Sequence, residues 1–260
     1  MDITKYMAQK DEKPLDNIPE SGGFCSIFRT IGCIGDSLSS GEFESVSREG
    51  YIGWHDFYEY SWGQYMARTL GNKVYNFSKG GMTAKEFVCN FGDKTGYLDK
   101  DKMCQCYILA LGVNDIGDGS KLGTIDDIEN PDADTFVRYY ANIIVNIKRK
   151  NPQAKFFLMN LPSGCKDAKR TEFEDRHALL IGQIADKLKN CYVLDFRKYA
   201  PVYNDEFKKN FYLRGHLNPA GYALTAKMVM AYIDYIVRNN PADFRQVGFI
   251  GTEFYDENYK

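Results

Sequence analysis

Four short segments carry side chains that can act together on a carbonyl group. Gly35-Asp36-Ser37-Leu38 sets a serine at the end of an apolar run. Ser78-Lys79-Gly80-Gly81-Met82-Thr83 is a glycine-rich turn, Gly112-Val113-Asn114-Asp115 presents an asparagine, and Leu213-Arg214-Gly215-His216 presents a histidine. A serine hydroxyl becomes a nucleophile when a neighbouring base takes its proton, and His216 is the right type of base. The attacked carbonyl oxygen then gains negative charge and needs preorganised donors. The Ser37 N–H, the Gly81 N–H and the Asn114 amide suit that task, and a glycine lets backbone approach a substrate closely. Taken alone, each segment also has an ordinary reading: Ser37 as a turn or N-cap residue, Asp36 and Asp115 as carboxylates bracing their own loops.

These residues need a scaffold that brings them to one place. Five short apolar runs read as strands: Ile27–Ile34, Lys73–Phe77, Cys104–Leu111, Lys155–Leu161 and Cys191–Phe196. Short, continuous and rich in β-branched and aromatic residues, they fit strands buried on both faces of a parallel sheet. Helical patterns alternate with them. "EYSWGQYMARTLG" ends on Gly71. "DADTFVRYYANIIVNIKRKNP" buries Phe136, Tyr140, Ile143, Ile144 and Ile147, and "EFEDRHALLIGQIADKLKN" is read with Leu179, Leu180, Ile184 and Leu188 inward and His177 exposed. "NPAGYALTAKMVMAYIDYIVRNN" starts at Pro219. The alternation predicts a doubly wound three-layer α/β/α fold. In such sheets ligands bind beyond the carboxyl ends of the strands, where the serine, the glycine turn, the asparagine and the histidine are all delivered. The connections 39–60 and 117–131 are long for this architecture, and long loops are often functional.

In order and position, the four segments resemble the SGNH hydrolases, the GDSL-type serine esterases and lipases. Gly35-Asp36-Ser37-Leu38 is a literal GDSL; Asn76, Gly81 and Thr83 have the spacing of the second block; Gly112-Val113-Asn114-Asp115 is GxND; and His216 precedes Asn218-Pro219-Ala220-Gly221-Tyr222. The match runs over about residues 27–238. The resemblance implies a five-stranded parallel, flavodoxin-like sheet. It implies Ser37 as nucleophile, His216 as base, the Ser37 N–H, Gly81 N–H and Asn114 as oxyanion hole, and ester hydrolysis without metal or cofactor. One position departs from the pattern. The family's last block is DxxH, and here Leu213 stands where the aspartate should orient His216. Three readings stay open: a Ser-His dyad steadied by a backbone carbonyl, an acid from elsewhere with Asp195 and Asp205 as candidates, or a non-catalytic relative.

The bulk numbers narrow the alternatives. The 260 residues are 44% hydrophobic and 26% charged with a net charge of -2, as for a globular domain with a normal core. Nucleic-acid binding needs a concentrated basic surface, and the densest cluster, Lys148–Lys150, sits where a helix should end. No apolar run spans a bilayer, and the polar first residues do not form a signal-peptide core, so neither a membrane nor secretion is expected. Seven cysteines without framework spacing fit a reducing, cytoplasmic setting; with three scattered histidines and no CxxC, no metal site is expected. No GxSxG, GxGxxG or GxxxxGK[ST] occurs, against α/β-hydrolase, dinucleotide and P-loop readings. The expected division is an N-terminal extension (1–26), the hydrolase domain (27–239) and a tail (240–260) whose Phe244, Phe249, Ile250, Phe254 and Tyr255 pack on the domain or a partner. The expected activity is removal of a short acyl group, acetyl first, from a carbohydrate or similar small polar or oligosaccharide substrate. Trp54 and Tyr58, with Tyr60, are read as a sugar platform in the aromatic loop around His55, and Arg214 as a substrate contact. A lipase or acyl thioesterase is the alternative within the family, a silent carbohydrate-binding relative the alternative outside it, and a homo-oligomer is left open.

Overall fold

The described residues build nine strands: β1 (Thr30–Gly35), β2 (Glu42–Val46), β3 (Ile52–Asp56), β4 (Lys73–Asn76), β5 (Cys106–Ala110), β6 (Lys155–Met159), β7 (Cys191–Leu194), β8 (Tyr212–Leu213) and β9 (His216–Leu217). The computed structural model describes residues 3–164 and 166–259. Residues 1, 2, 165 and 260, the ends of the two expected terminal segments and one of the seven cysteines, lie outside the described residues. Five strands form one parallel sheet in the order β4-β1-β5-β6-β7. Counted along the chain, that is the second, first, third, fourth and fifth parallel strand, the flavodoxin-like order. All five expected strands form, each shorter than its apolar run by one to three residues; Ile27 instead ends a short 3-10 turn, Gly23–Ile27.

Two hydrophobic clusters cover the two faces. One packs Trp62 and Met66 of the Trp62–Leu70 helix and Tyr222, Val229 and Ile233 of the Pro219–Asn239 helix against Ile31, Cys33 and Phe157. The other packs Phe136, Tyr140 and Ile144 of the Phe136–Lys150 helix and Leu180, Ile181 and Ile184 of the Ala168–Lys187 helix against Tyr107, Leu109 and Phe156. Each helix starts on a side-chain cap: Ser61, Thr135, Asp167 and Asn218 each accept a backbone N–H in the first turn.

Two sequence expectations change. The Ala168–Lys187 helix turns a different face inward: His177, Leu180, Ile181 and Ile184 are buried, and Leu179 is 62% exposed. The buried set follows the i, i+3, i+4, i+7 spacing of one helical face counted from His177, and Leu179 falls outside it. His177 is therefore a core residue. Its Nε2 donates to the Leu111 carbonyl at 3.2 Å, its ring packs on Phe136, and burial pushes it down to about 4. The second change lies in the 39–60 connection, where β2 and β3 pair as an antiparallel hairpin.

Residues from both terminal segments are tied to the domain. Arg238, 3% exposed at its side chain, binds Glu12 through both terminal nitrogens and Asp234 through Nε. The Phe24 N–H donates to Asp234. In the tail Phe244, Val247 and Ile250 are buried, Tyr255 is partly buried, and Phe249 and Phe254 are exposed. Phe244 sits among Phe28, Phe157 and Tyr192. Replacing a buried phenylalanine by alanine costs about 3–5 kcal/mol. Phe244→Ala is expected to lower the melting temperature clearly while Phe254→Ala does not, as calorimetry would record.

Candidate active site

Three of the four chemistry-bearing segments leave the parallel sheet at the same rim, and the separate strand β9 sets the fourth, His216, against the serine turn and β2. Ser37 follows β1 and Asn114 follows β5, adjacent strands on either side of the point where the strand order reverses. Ser37 opens a single helical turn, Ser37–Ser40, whose N-cap is Asp36. The Asp36 carboxylate accepts the Leu38 N–H at 2.9 Å, and its carbonyl accepts the Ser39 and Ser40 N–H groups. Asp36 thus shapes the turn, leaving the Ser37 N–H without an acceptor among the described residues. Tyr222, fully buried in the last helix, pins this turn from below: its hydroxyl lies 2.7 Å from the Glu42 carbonyl and 3.3 Å from the Ser37 carbonyl.

The other oxyanion candidates are braced as a pair. Gly81 takes a left-handed φ of 72°, which suits glycine. The Asn114 amide donates one hydrogen to the Met82 carbonyl at 3.1 Å, which aims the group and leaves its second hydrogen available. Asp115 accepts the Ala84 N–H at 3.2 Å, so it braces the Gly81 segment rather than its own loop. His177 stands under this turn from the other side, because a Cβ on Gly112 would collide with its ring.

His216 is where the structure adds most. It lies on β9, joined to β8 by a two-residue turn in which Arg214 takes a left-handed φ of 61° and is exposed. Leu213 pairs directly with His216 across this ladder and is also exposed. The carboxylate that meets the ring comes from β2 instead. The Nδ1 of His216 is 2.6 Å from Glu44 Oε1, a hydrogen bond between two nearly buried side chains. Asp195 and Asp205, the expected substitutes, are engaged elsewhere: Asp195 caps Phe196–Tyr199 and binds Asn160, and Asp205 pairs with Lys166. The dyad reading fails for the same reason, since a carboxylate and not a backbone carbonyl meets Nδ1.

A second carboxylate flanks the ring. Glu42 Oε1 lies 3.1 Å from Nε2, a contact that becomes an ion pair only when the imidazole is protonated, and Ser37 Oγ makes no hydrogen bond to His216. Burial raises the Glu42 carboxyl above its ordinary range, and the nearby imidazole pulls it back. Two glycines leave the space that these glutamates fill. A Cβ on Gly80 would collide with the Glu42 carboxylate, and one on Gly215 with that of Glu44. The Glu42-Phe43-Glu44 alternation after Gly41 was the sequence signal for both, since residues two apart on a strand share a face. Phe43, between them, packs on Tyr222 on the opposite face.

The aromatic candidates separate. Trp54 pairs with Glu44 in the hairpin register, on the face that carries both glutamates, and is 60% exposed. Tyr58 is tied down by a 2.8 Å hydrogen bond from its hydroxyl to the Val74 carbonyl. Tyr60 packs edge-on against Phe43, and His55 binds Ser45 on the exposed hairpin, not the first helix. Among the described residues no group of three or more potential ligands is placed to hold a metal ion, the six described cysteines are free, and no helix is long and apolar enough to cross a membrane.

The comparisons agree with this architecture. The model of the GDSL-like lipase/acylhydrolase family matches residues 33–224. No curated protein matches. Among solved structures, a carbohydrate esterase family 2 enzyme with a carbohydrate-binding domain from Corynascus thermopiles (Myceliophthora fergusii) superposes with a TM-score of 0.57 at 15% identity, covering 91% of this chain and 69% of that one. A family two carbohydrate esterase from Clostridium thermocellum, in complex with cellohexaose, gives 0.57 at 16% identity, with 89% and 66% covered. A "possible lipase" from Chitinophaga pinensis gives 0.53 at 17%, with 84% and 98% covered. At these identities the likeness is one of fold.

Asp36 gives a test of the rim. Burial pushes its carboxyl from 3.8 up to about 7, so the folded state holds a proton that the unfolded chain releases earlier. Stability contributed by this group is therefore lost as pH rises from about 4 to about 7. In Asp36→Asn the amide oxygen can still accept the Leu38 N–H and nothing titrates. The melting temperature of the variant relative to wild type is expected to climb between pH 4 and 7 and level off above. A constant difference would show that Asp36 ionises normally.

Proposed function

The chain belongs to the GDSL-like lipase/acylhydrolase family, and on that premise we propose that it is a serine esterase removing a short acyl group, acetyl first, from a carbohydrate or similar polar substrate. The observation that carries the catalytic part is the 2.6 Å bond from His216 Nδ1 to Glu44 at the rim that also bears Ser37, Gly81 and Asn114. In this reading Ser37 Oγ attacks the ester carbonyl while His216 Nε2 takes its proton. Glu44 holds the Nδ1–H, keeps Nε2 as the basic nitrogen and stabilises the imidazolium that forms. Contact between nucleophile and base tightens when substrate fills the site. The tetrahedral oxyanion is met by the Ser37 N–H, the Gly81 N–H and the free hydrogen of the Asn114 amide. His216 returns the proton to the departing alcohol, and water repeats the sequence on the acyl-serine.

Glu42 gives the site a second negative neighbour for the imidazolium and a polar wall beside the reacting serine. The polar-substrate reading rests on that wall and on Trp54, an exposed ring on the same hairpin face, since apolar sugar faces stack on aromatics. The carbohydrate esterases of the same fold are in keeping with it. The reason for reading the protein as silent was Leu213, and a carboxylate on His216 from Glu44 favours the active reading over it.

The test is p-nitrophenyl acetate turnover across four forms. Ser37→Ala is expected to abolish it. Glu44→Ala is expected to lower kcat by about 10²–10⁴-fold, the scale for losing an orienting acid. Adding Leu213→Asp to Glu44→Ala, which restores a carboxylate opposite His216, is expected to recover part of the loss. Equal turnover by wild type and Ser37→Ala would end the esterase reading.

A further inference from the structure

A cleft of about 310 Å³ opens beside the candidate active site. Three of its lining residues, Leu38, Val113 and Gly215, are chain neighbours of Ser37, Asn114 and His216, so the cleft starts where the ester would sit. Arg170 and Lys208 also line it.

The charges there are unequal. Glu174, 5% exposed at its side chain, is the only acid lining the cleft among the described residues, and it is shared. Its Oε1 takes the Nε of Arg170 at 3.0 Å and its Oε2 takes Arg197 at 2.7 Å. Asp175 completes the Arg197 pair. Arg170 is therefore held by one edge of its guanidinium, and its two terminal nitrogens have no partner among the described residues. Lys208 on the Asp205–Phe211 helix has no ion pair among them either; neighbouring Asp205 is spent on Lys166. Tyr212 also lines the cleft. Burial pushes its phenol up to about 12 while the nearby Arg170 charge pulls against it. A guanidinium fixed on one edge with its fork free is suited to bidentate capture of a carboxylate or phosphate.

We infer that this cleft is a subsite for an anionic group of the substrate, a carboxylate or a phosphate carried beyond the scissile ester, bound by Arg170 and Lys208. The inference rests on the esterase reading for what lies at Ser37, and it narrows the polar substrate to an acidic one.

The experiment compares three probes: mono-O-acetyl glucose, mono-O-acetyl glucuronic acid and mono-O-acetyl glucose 6-phosphate. Wild type is expected to favour at least one acidic probe over the neutral one in kcat/KM, and which acid is favoured tells carboxylate from phosphate. The acid-to-neutral ratio is expected to fall about 10–100-fold in Arg170→Gln, the scale of a charged hydrogen bond. It is expected to fall less in Lys208→Gln, an exposed position where folding is not at stake. Arg170→Gln leaves Glu174 its Arg197 partner. Calorimetric binding of the same probes to Ser37→Ala reads the subsite without turnover. Tighter binding of an acidic probe, weakened by either substitution, supports the inference even if no acetate is released. Equal binding and equal turnover of acidic and neutral probes overturn it, while p-nitrophenyl acetate turnover separately decides the esterase reading.

Discussion

The 2.6 Å bond between His216 and Glu44 is the contact on which the rest of the site depends. A histidine can serve as a base through Nε2 only if Nδ1 keeps its proton and the ring keeps its angle, and an ionised carboxylate on Nδ1 provides both. Much of the nearby structure is arranged around that contact. The β2–β3 hairpin carries Glu44 to the ring, and the absence of a side chain at Gly215 leaves it room. Tyr222 fixes the start of β2 to the serine turn through the carbonyls of Glu42 and Ser37. The short β8–β9 ladder holds His216 in place from the other side.

The same rim gathers carboxyls that water would ordinarily keep ionised. Burial pushes Asp36 and Asp115 up to about 7 and raises Glu42. One Asp115 oxygen braces the Ala84 N–H, and the other is buried without a partner among the described residues. Carboxyls strained toward the neutral form are costly for stability and commonly gather where a protein positions donors for chemistry. Here Asp36 shapes the serine turn and Asp115 links the asparagine loop to the glycine loop. Both act on backbone geometry, and each sits one residue from a group assigned to the reaction.

The central layers were legible because their signals are local. Continuous apolar strands, amphipathic helices and four ordered blocks led to the sheet and to the rim where Ser37, Gly81, Asn114 and His216 gather. What the sequence hid depends on register and on which face of a helix turns inward. Glu42 and Glu44 are two acids in a polar segment until β2 pairs with β3 and turns them onto the histidine. Their partner glycines, Gly80 and Gly215, look like ordinary turn residues until the glutamates are placed. His177 has a polar side chain and a charged neighbour, so only the choice between Leu179 and Leu180 as the buried position puts it in the core. The tail is similar: Phe244 and Ile250 insert and Phe249 and Phe254 do not, a division that no local pattern distinguishes.

The most direct measurement of the account is the proton NMR signal of the His216 Nδ1–H. A short bond to a carboxylate shields this proton from exchange and moves it far downfield. The account predicts a downfield resonance in the wild-type protein that persists in Ser37→Ala and Glu42→Gln and disappears in Glu44→Ala. A resonance that survives in Glu44→Ala, or is lost in Glu42→Gln alone, would contradict Glu44 as the group that orients the histidine.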